Sequence, residues 1–295
     1  MLEHLNPAPR APQRVVVIGS AGFIGGAIAD RLEHDGIPTV RVTRRELDLL
    51  SCDAGTALAS LLRPGDAVVA AAALAPCKTA EMLCDNMTLA LALVRGVARV
   101  PISHLINISS DAVYADEPVP LTETSATAPT SLHGVMHLAR EIMLTSEVTV
   151  PLALLRPTLV YGAGDPHNGY GPNRFRRQAA RGEPITLFGQ GEERRDHVDV
   201  ADLAELASRV VSHRSVGRLN VATGLVTSFK AVAEIAVRLS GRAVAIVERP
   251  RQGPMPHNGY RPFDIAACRA AFPDFCYRTL EAGMALAQKQ DDPDG

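Results

Sequence analysis

The 295 residues are 46% hydrophobic and 21% charged, enough apolar mass for one large α/β domain or a domain with a small extra lobe. A formal net charge of −2 and the absence of tryptophan argue against a nucleic-acid or anionic-membrane surface, and no apolar run reaches the roughly 18 residues of a membrane span. The five cysteines (Cys52, Cys77, Cys84, Cys268, Cys276) form no C-x-x-C pair, and an odd set of this kind reads as reduced thiols in a cytoplasmic protein, with neither a disulfide frame nor a metal site.

In chain order, residues 1–13 (MLEHLNPAPRAPQ) lack the apolar centre of a signal peptide and read as a flexible tail. RVVVIG (14–19) predicts a buried strand, and FIGGAIADRLEHDG an amphipathic helix that stops at Gly36. PTVRVTR predicts a second strand and GDAVVAAAAL (65–74) a third clear one. MTLALALVRGVARV reads as a helix and ISHLINISS (102–110) as a strand. A helix begins near His133, and PLALLRPTLVYG (151–162) is a further strand. Continuous apolar strands alternating with helices predict a doubly wound parallel sheet of the Rossmann type, covered on both faces. Residues 163–197 are rich in Gly, Pro, Arg and Asn with little periodicity, after which HVDVADLAELASRVV and LNVAT restore the alternation. The expected division is a dinucleotide core of 14–163 plus 198–225, a small C-terminal substrate lobe of 164–197 plus 226–290, and a second tail of 291–295.

VVVIGSAGFIGGAIADRL spaces Gly19, Gly22 and Gly25 as G-x-x-G-x-x-G between a strand and a helix. Gly19 permits the tight turn, Gly22 lets the backbone approach a pyrophosphate, and Gly25 lets the helix pack close to the sheet. The helix N-terminus then offers free N–H groups and a positive dipole end to the phosphates. Ala21, Phe23 and Ile24 in this loop, and Ala72 at the end of the third clear strand, complete the expected cofactor contacts. The second strand ends in Thr43, Arg44 and Arg45 where an acidic residue would bind the ribose 2′-hydroxyl of NAD. Arginine suits a 2′-phosphate, so NADP is expected, with NAD the alternative. Asp48 and Leu49 are expected beside the adenine.

Several stretches together resemble the extended short-chain dehydrogenase/reductase family, the sugar-nucleotide epimerases, dehydratases and reductases. They are the three-glycine loop, NISSDAVY (107–114), LRPTLVYG, ITLFGQGEERRDHVDVADLA (185–204), LNVATG and RPFDIAACRAAF. TRRELDLL is most similar to the NADP-dependent reductases that make GDP-fucose. The resemblance implies a nucleotide-linked sugar as substrate and a homodimer through a helix pair. It makes Ser110 the catalytic hydroxyl and Arg195 a contact to the substrate diphosphate. Asn86 corresponds to an asparagine that supports the helix before the catalytic strand. Asp111 follows Ser110 on the substrate side, but Ala112 stands where the family's dehydratases carry a glutamate, so 4,6-dehydration lacks its usual acid/base pair. Asn173, Arg174, Arg176 and Arg177 lead into the lobe as candidate ligands of a sugar-nucleotide diphosphate.

The family also carries a Tyr and, four residues later, a Lys. In TSLHGVMHLAREIML those positions hold His133 and His137, and none of the five tyrosines has a lysine four residues on. Only three of the 30 basic residues are lysines, Lys78, Lys230 and Lys289; Lys78, in the loop after the third clear strand, is the one placed to lie near the nicotinamide. Positions four apart share a helix face. Three readings are open. His133 replaces the tyrosine as acid/base while His137 bonds a ribose hydroxyl. The chain is a catalytically silent NADP(H)-binding protein, a sensor or a partner subunit. The pair ligates a metal, for which no third ligand is apparent.

Overall fold

A computed structural model describes residues 2–291. Its elements in chain order are β1 (Leu2–His4), β2 (Val15–Ile18), α1 (Phe23–His34), β3 (Thr39–Val42), α2 (Ala54–Leu61), β4 (Ala67–Ala70), α3 (Ala80–Val97), β5 (His104–Ile108), α4 (Leu132–Glu147), β6 (Leu152–Pro157), β7 (Leu159–Tyr161), α5 (Pro172–Ala180), β8 (Ile185–Phe188), β9 (Arg194–Asp199), α6 (Val200–Ser212), β10 (Ser215–Val221), β11 (Val226–Ser228), α7 (Phe229–Ser240), β12 (Ile246–Arg249), β13 (Tyr260–Arg261), α8 (Ala266–Ala271) and α9 (Leu280–Asp291).

The large sheet has the order β1-β10-β6-β5-β4-β2-β3, parallel throughout except for β1. Its central strands are apolar on both faces because helices cover both. Val15, Val17, Val69 and Ile106 pack with Ile28 and Leu32 of α1 and Leu203 and Leu206 of α6. Val16, Val68 and Leu105 pack with Leu58 of α2, Leu93 of α3 and Leu144 of α4. β3 and β4 lie on opposite sides of β2. The chain therefore reverses its winding at β2, which opens a crevice beyond the strand ends.

A smaller lobe holds its own sheet of β7, β9, β11 and β13, the pair β8–β12, and a core that includes Phe175, Leu187, Phe229, Val232 and Met284. The segment expected as one strand from 151 to 162 is two strands in two sheets. Thr158 is the crossing point: its N–H donates to Val221 O at 3.1 Å and its Oγ1 to Asp196 O at 3.1 Å. Both β7 and the start of β9 belong to the smaller sheet, so the chain leaves the large sheet before residue 163.

Residues 1–13, expected as a flexible tail, are corrected by the structure from residue 2 on. Leu2–His4 pairs antiparallel with β10, and His4 bonds Ser215 Oγ at 2.7 Å and Ala271 O at 2.9 Å. Of the expected C-terminal tail, Asp291 closes α9, and residues 292–295 lie outside the described residues.

Candidate active site

The crevice at the strand ends is a cleft of about 240 Å³. Its walls come from the turn after β2 (Gly19, Ala21, Gly22), the segment after β3 (Thr43, Arg44, Leu47 to Leu50) and the segment after β4 (Ala71 to Leu74). Gly19 has φ +90°, and a Cβ there would stand 2.6 Å from Ala72 N. A Cβ on Gly25 would stand 2.2 Å from Gly19 O. Both positions therefore demand glycine, one for backbone conformation and one for the approach of α1 to the turn. Gly22 caps α1 without any side-chain bond, so the first N–H groups of the helix are left for an anion. The buried Ser20 Oγ likewise has no partner among the described residues. Cleft, turn and free helix end fit a dinucleotide. Phe23, Ile24 and Gly25 form the first turn of α1 behind the phosphate loop.

At the adenosine end, Arg44 is 72% exposed and pairs with Asp48 at 3.2 Å. Leu49 is buried, and both Asp48 and Leu49 lie on the lining. Arg45 is exposed and is not part of the lining. Glu46, the acidic residue nearest the end of β3, folds back so that Oε2 accepts from Thr43 N at 2.9 Å and Thr43 Oγ1 at 2.5 Å. Thr43 Oγ1 in turn accepts from Arg45 N at 3.2 Å, and these bonds commit the carboxylate to the turn.

The histidines sit at the start of α4. Ser131 caps the helix, its Oγ accepting from Gly134 N at 3.1 Å. A Cβ on Gly134 would stand 2.2 Å from Ala112 O, so the first turn of α4 lies directly on the turn that bears Ser110. His133 and His137 meet edge to face with ring centroids 4.7 Å apart. Cys77 N–H donates to His133 Nδ1 at 3.4 Å, which leaves the ring proton of the neutral form on Nε2. Burial lowers the basicity of His133, with Asp111 acting in the opposite direction. His137 is driven well below the usual imidazole range by burial first, then by His133 and Arg140. Its buried Nδ1 has no partner among the described residues. Both rings are therefore neutral at pH 7.

Ser110 Oγ accepts from Ala112 N at 3.1 Å and donates to Asp111 Oδ1 at 3.5 Å. Asp111 is buried beneath two guanidiniums. Arg261 donates through Nε to Oδ2 at 2.9 Å, and Arg195 stands 3.8 Å from the same oxygen and 3.5 Å from Glu193. Arg195, far from the Ser110–Asp111 pair in sequence, is thus its neighbour in space. Lys78 is exposed, and its chain neighbour Cys77 touches His133.

Two expectations are corrected. Asn173 is buried with both ends of its amide in use, Oδ1 accepting from Gly162 N at 3.0 Å and Nδ2 donating to Asp165 at 2.8 Å, so it braces a loop. Arg176 and Arg177 turn toward Asp291 of α9 at 2.8 and 3.3 Å, while Arg174 remains exposed. Asn86 braces the segment after β4, its Oδ1 accepting from Leu74 N at 2.9 Å and its Nδ2 donating to Leu74 O at 3.0 Å.

Sequence reasoning passed over two arginines. Arg261 stands in the quoted stretch RPFDIAACRAAF, so its motif was visible while its partner, 150 positions earlier, was not. Arg140 follows His137 by three, a spacing that places it on the same helix face. Below it, α4 is anchored by a buried network. Glu141 accepts from Arg156 at 2.6 and 2.9 Å and from Ser109 at 2.5 Å, and Arg156 reaches Tyr114 OH at 2.9 Å. Among the described residues, no group of three or more His, Cys, Asp or Glu side chains converges to hold a metal, and no helix is long and apolar enough to cross a membrane.

Comparison with known proteins agrees with this geometry. The chain is 27% identical over 306 residues to ADP-L-glycero-D-manno-heptose-6-epimerase of Alkalilimnicola ehrlichii, covering 92% of this chain and 95% of that one. It is 28% identical over 299 residues to dTDP-6-deoxy-L-talose 4-dehydrogenase (NAD(P)(+)) of Kitasatospora kifunensis, covering 93% and 94%. Its fold superposes on UDP-glucose 4-epimerase of Thermus thermophilus, solved in complex with NAD, with a TM-score of 0.82 at 22% identity, covering 96% and 100%. Residues 15–222 match the NAD dependent epimerase/dehydratase family, and the chain belongs to that family.

Proposed function

We propose that the protein is an NAD(P)-dependent epimerase or reductase of a nucleotide-linked sugar, with His133 in the place of the family's tyrosine. The observation that carries this is the packing of the first turn of α4, which bears His133, on the turn that bears Ser110, Gly134 against Ala112, in a fold whose strand ends open a cleft that fits a dinucleotide. A bound nicotinamide supplies the acceptor or donor of hydride at C4. In the oxidative direction Ser110 Oγ holds the sugar hydroxyl, the carbinol C–H bond breaks, and the hydroxyl proton passes to His133. In reduction the proton returns from His133 to the new alkoxide. Because Cys77 N–H occupies Nδ1 and Nε2 carries the ring proton, uptake of a second proton displaces the Cys77 bond. His137, one helical turn on from His133, is proposed to bond a ribose hydroxyl. Arg195 is the cation proposed to meet a substrate diphosphate, with the buried Arg261 behind it holding Asp111.

NADP is the proposed cofactor. Arg44 at the lip of the cleft supports it, as does the withdrawal of Glu46 from the ribose position into its own turn. A homodimer is proposed through α3 and α4, which leave Leu91, Val135 and Ile142 exposed.

A second reading, binding without turnover, is favoured by the Cys77–His133 bond, which holds the imidazole in a form that must break a contact before it accepts a proton. One experiment separates the two. The protein, with NADP(H) and NAD(H), is offered UDP-, GDP- and dTDP-linked sugars and their 4-keto forms, and products are read by mass and stereochemistry. A new product supports the enzyme. No product across the panel, with cofactor binding intact, moves the assignment to the silent protein.

A further inference from the structure

Arg140 is 3% exposed, and its guanidinium has no carboxylate partner among the described residues. The acid beside it in sequence, Glu141, is held by Arg156 through both oxygens. Arg140 donates instead to two main-chain carbonyls at the end of β4, Ala72 O at 2.5 Å and Ala70 O at 3.3 Å, and its Nε has no partner. A buried cation without an anion is costly, and backbone oxygens offset only part of that cost. Burial pushes its pKa down to about 10, so it stays charged at neutral pH.

The position of this charge is informative. Ala72 is part of the cleft wall, and its N and Cα lie 2.6 and 2.8 Å from where a Cβ on Gly19 would sit. A single residue, Ala72, therefore separates the guanidinium from the turn whose amides face the dinucleotide phosphates. Ala71 and Ala73 flank it on the same wall. No acidic side chain lines that part of the cleft; Asp48 stands at the adenosine end beside Arg44.

We infer that Arg140 is a positioning residue for the cofactor, a fixed cation behind the cleft wall whose missing counter-ion is the dinucleotide pyrophosphate. It acts through Ala72 and touches no ligand. The inference rests on the dinucleotide reading of the cleft. The two cations then have different roles. Arg44, exposed, discriminates a 2′-phosphate, whereas Arg140, buried, favours any dinucleotide and little else. The buried charge is only weakly screened by salt.

Dissociation constants of the wild type, Arg140→Met and Arg140→Lys for NADPH, NADH and adenosine test this. A charge at roughly 10 Å in a medium of effective dielectric about 20 corresponds to a roughly tenfold effect. Arg140→Met is expected to weaken NADPH and NADH alike by about that factor while adenosine, which lacks phosphate, changes less than about twofold. Arg140→Lys is expected to stay within about threefold of wild type for all three. Unchanged dinucleotide binding in folded Arg140→Met overturns the inference, and so does a parallel loss of adenosine, which would make Arg140 a mere support of the cleft. If Arg140→Met does not fold, Arg140→Lys decides through pH, since a buried lysine sheds its proton on the alkaline side. Its dinucleotide affinity is then expected to fall between pH 7 and pH 9, where Arg140 itself stays charged, and parallel profiles overturn the inference. A wild type that binds neither dinucleotide refutes the reading of the cleft itself.

Discussion

The N–H of Cys77 and Nδ1 of His133 stand 3.4 Å apart as donor and acceptor, so this hydrogen bond and a proton on Nδ1 exclude each other. In the resting protein His133 is then expected as the Nε2–H tautomer. Long-range ¹H–¹⁵N spectra of the imidazoles, assigned with His133→Phe, read this directly; an Nδ1–H form would remove the Cys77 contact from the account. His133→Phe is also expected to lower turnover by about 10² to 10⁴, the usual weight of an acid/base group, with the cofactor dissociation constant nearly unchanged. Unchanged turnover would take His133 out of the mechanism.

Arg44→Asp is expected to weaken NADPH binding by at least about tenfold, since it replaces a phosphate-facing cation by an anion, and NADH binding far less. Titration of both dinucleotides into the variant checks this. Equal losses would mean that Arg44 does not read the 2′ position.

The adjacent glycines of FIGG make an internal control. A Cβ on Gly25 would meet Gly19 O at 2.2 Å, whereas one on Gly26 would meet Ser20 O at 3.3 Å. Gly25→Ala is therefore expected to cost about 1–3 kcal/mol and to impair dinucleotide binding, with Gly26→Ala much milder. Chemical denaturation and binding measured on both variants compare them. Similar behaviour of the two would contradict the close packing of α1 on the turn.

Glu141→Gln leaves Arg156 charged and buried without its anion, and a loss of about 3–5 kcal/mol is expected. The double replacement Glu141→Gln, Arg156→Met is expected to lose less than Glu141→Gln alone, because no orphaned charge remains. Urea midpoints of the three proteins decide it.

Acid is expected to weaken the fold. Burial lowers His104 to about 4 and His197 to about 3, and it takes His137 well below its ordinary value. Each binds its proton more readily when unfolded, so its stabilising contribution is full above pH 6.5 and lost as pH falls from there. Burial raises Asp196 and Asp202 to about 6, which acts in the opposite sense between pH 6 and pH 3.8. His133 and His257 are lowered as well, so the histidines outnumber the two carboxyls and unfolding near pH 5 takes up protons on balance. The urea midpoint should therefore be lower at pH 5 than at pH 6.5; the reverse order would refute the assignment of these histidines as buried and neutral.

What could be read beforehand was what is local. The glycine loop, Arg44, Asp48 and Leu49 lie within one strand–helix–strand unit, where chain spacing and spatial distance coincide, and they line one cleft. Ser110 and His133 were legible through motif position. Asp111 with Arg261 was not, because its partner arrives from another lobe 150 positions later. Asn173 and Arg176 failed for the opposite reason. Residue type suggested a ligand, but the nearest polar groups in space, Asp165 and Asp291, took them first. The strand Leu2–His4 is too short to show any periodicity, and the split at Thr158 leaves no mark in an apolar run that stays apolar across it.

The antiparallel strand Leu2–His4 is the outermost member of the large sheet on the β10 side. Without it, the outer edge of β10 over Ser215 to Gly217 would lose its partner and present unpaired main chain on which another strand could add itself. Leu2–His4 thus closes that part of the sheet edge, with His4 tied to Ser215 Oγ and Ala271 O to keep it seated. Any fusion partner joined at the amino end would pull on that strand, whereas one joined after α9 would leave it in place.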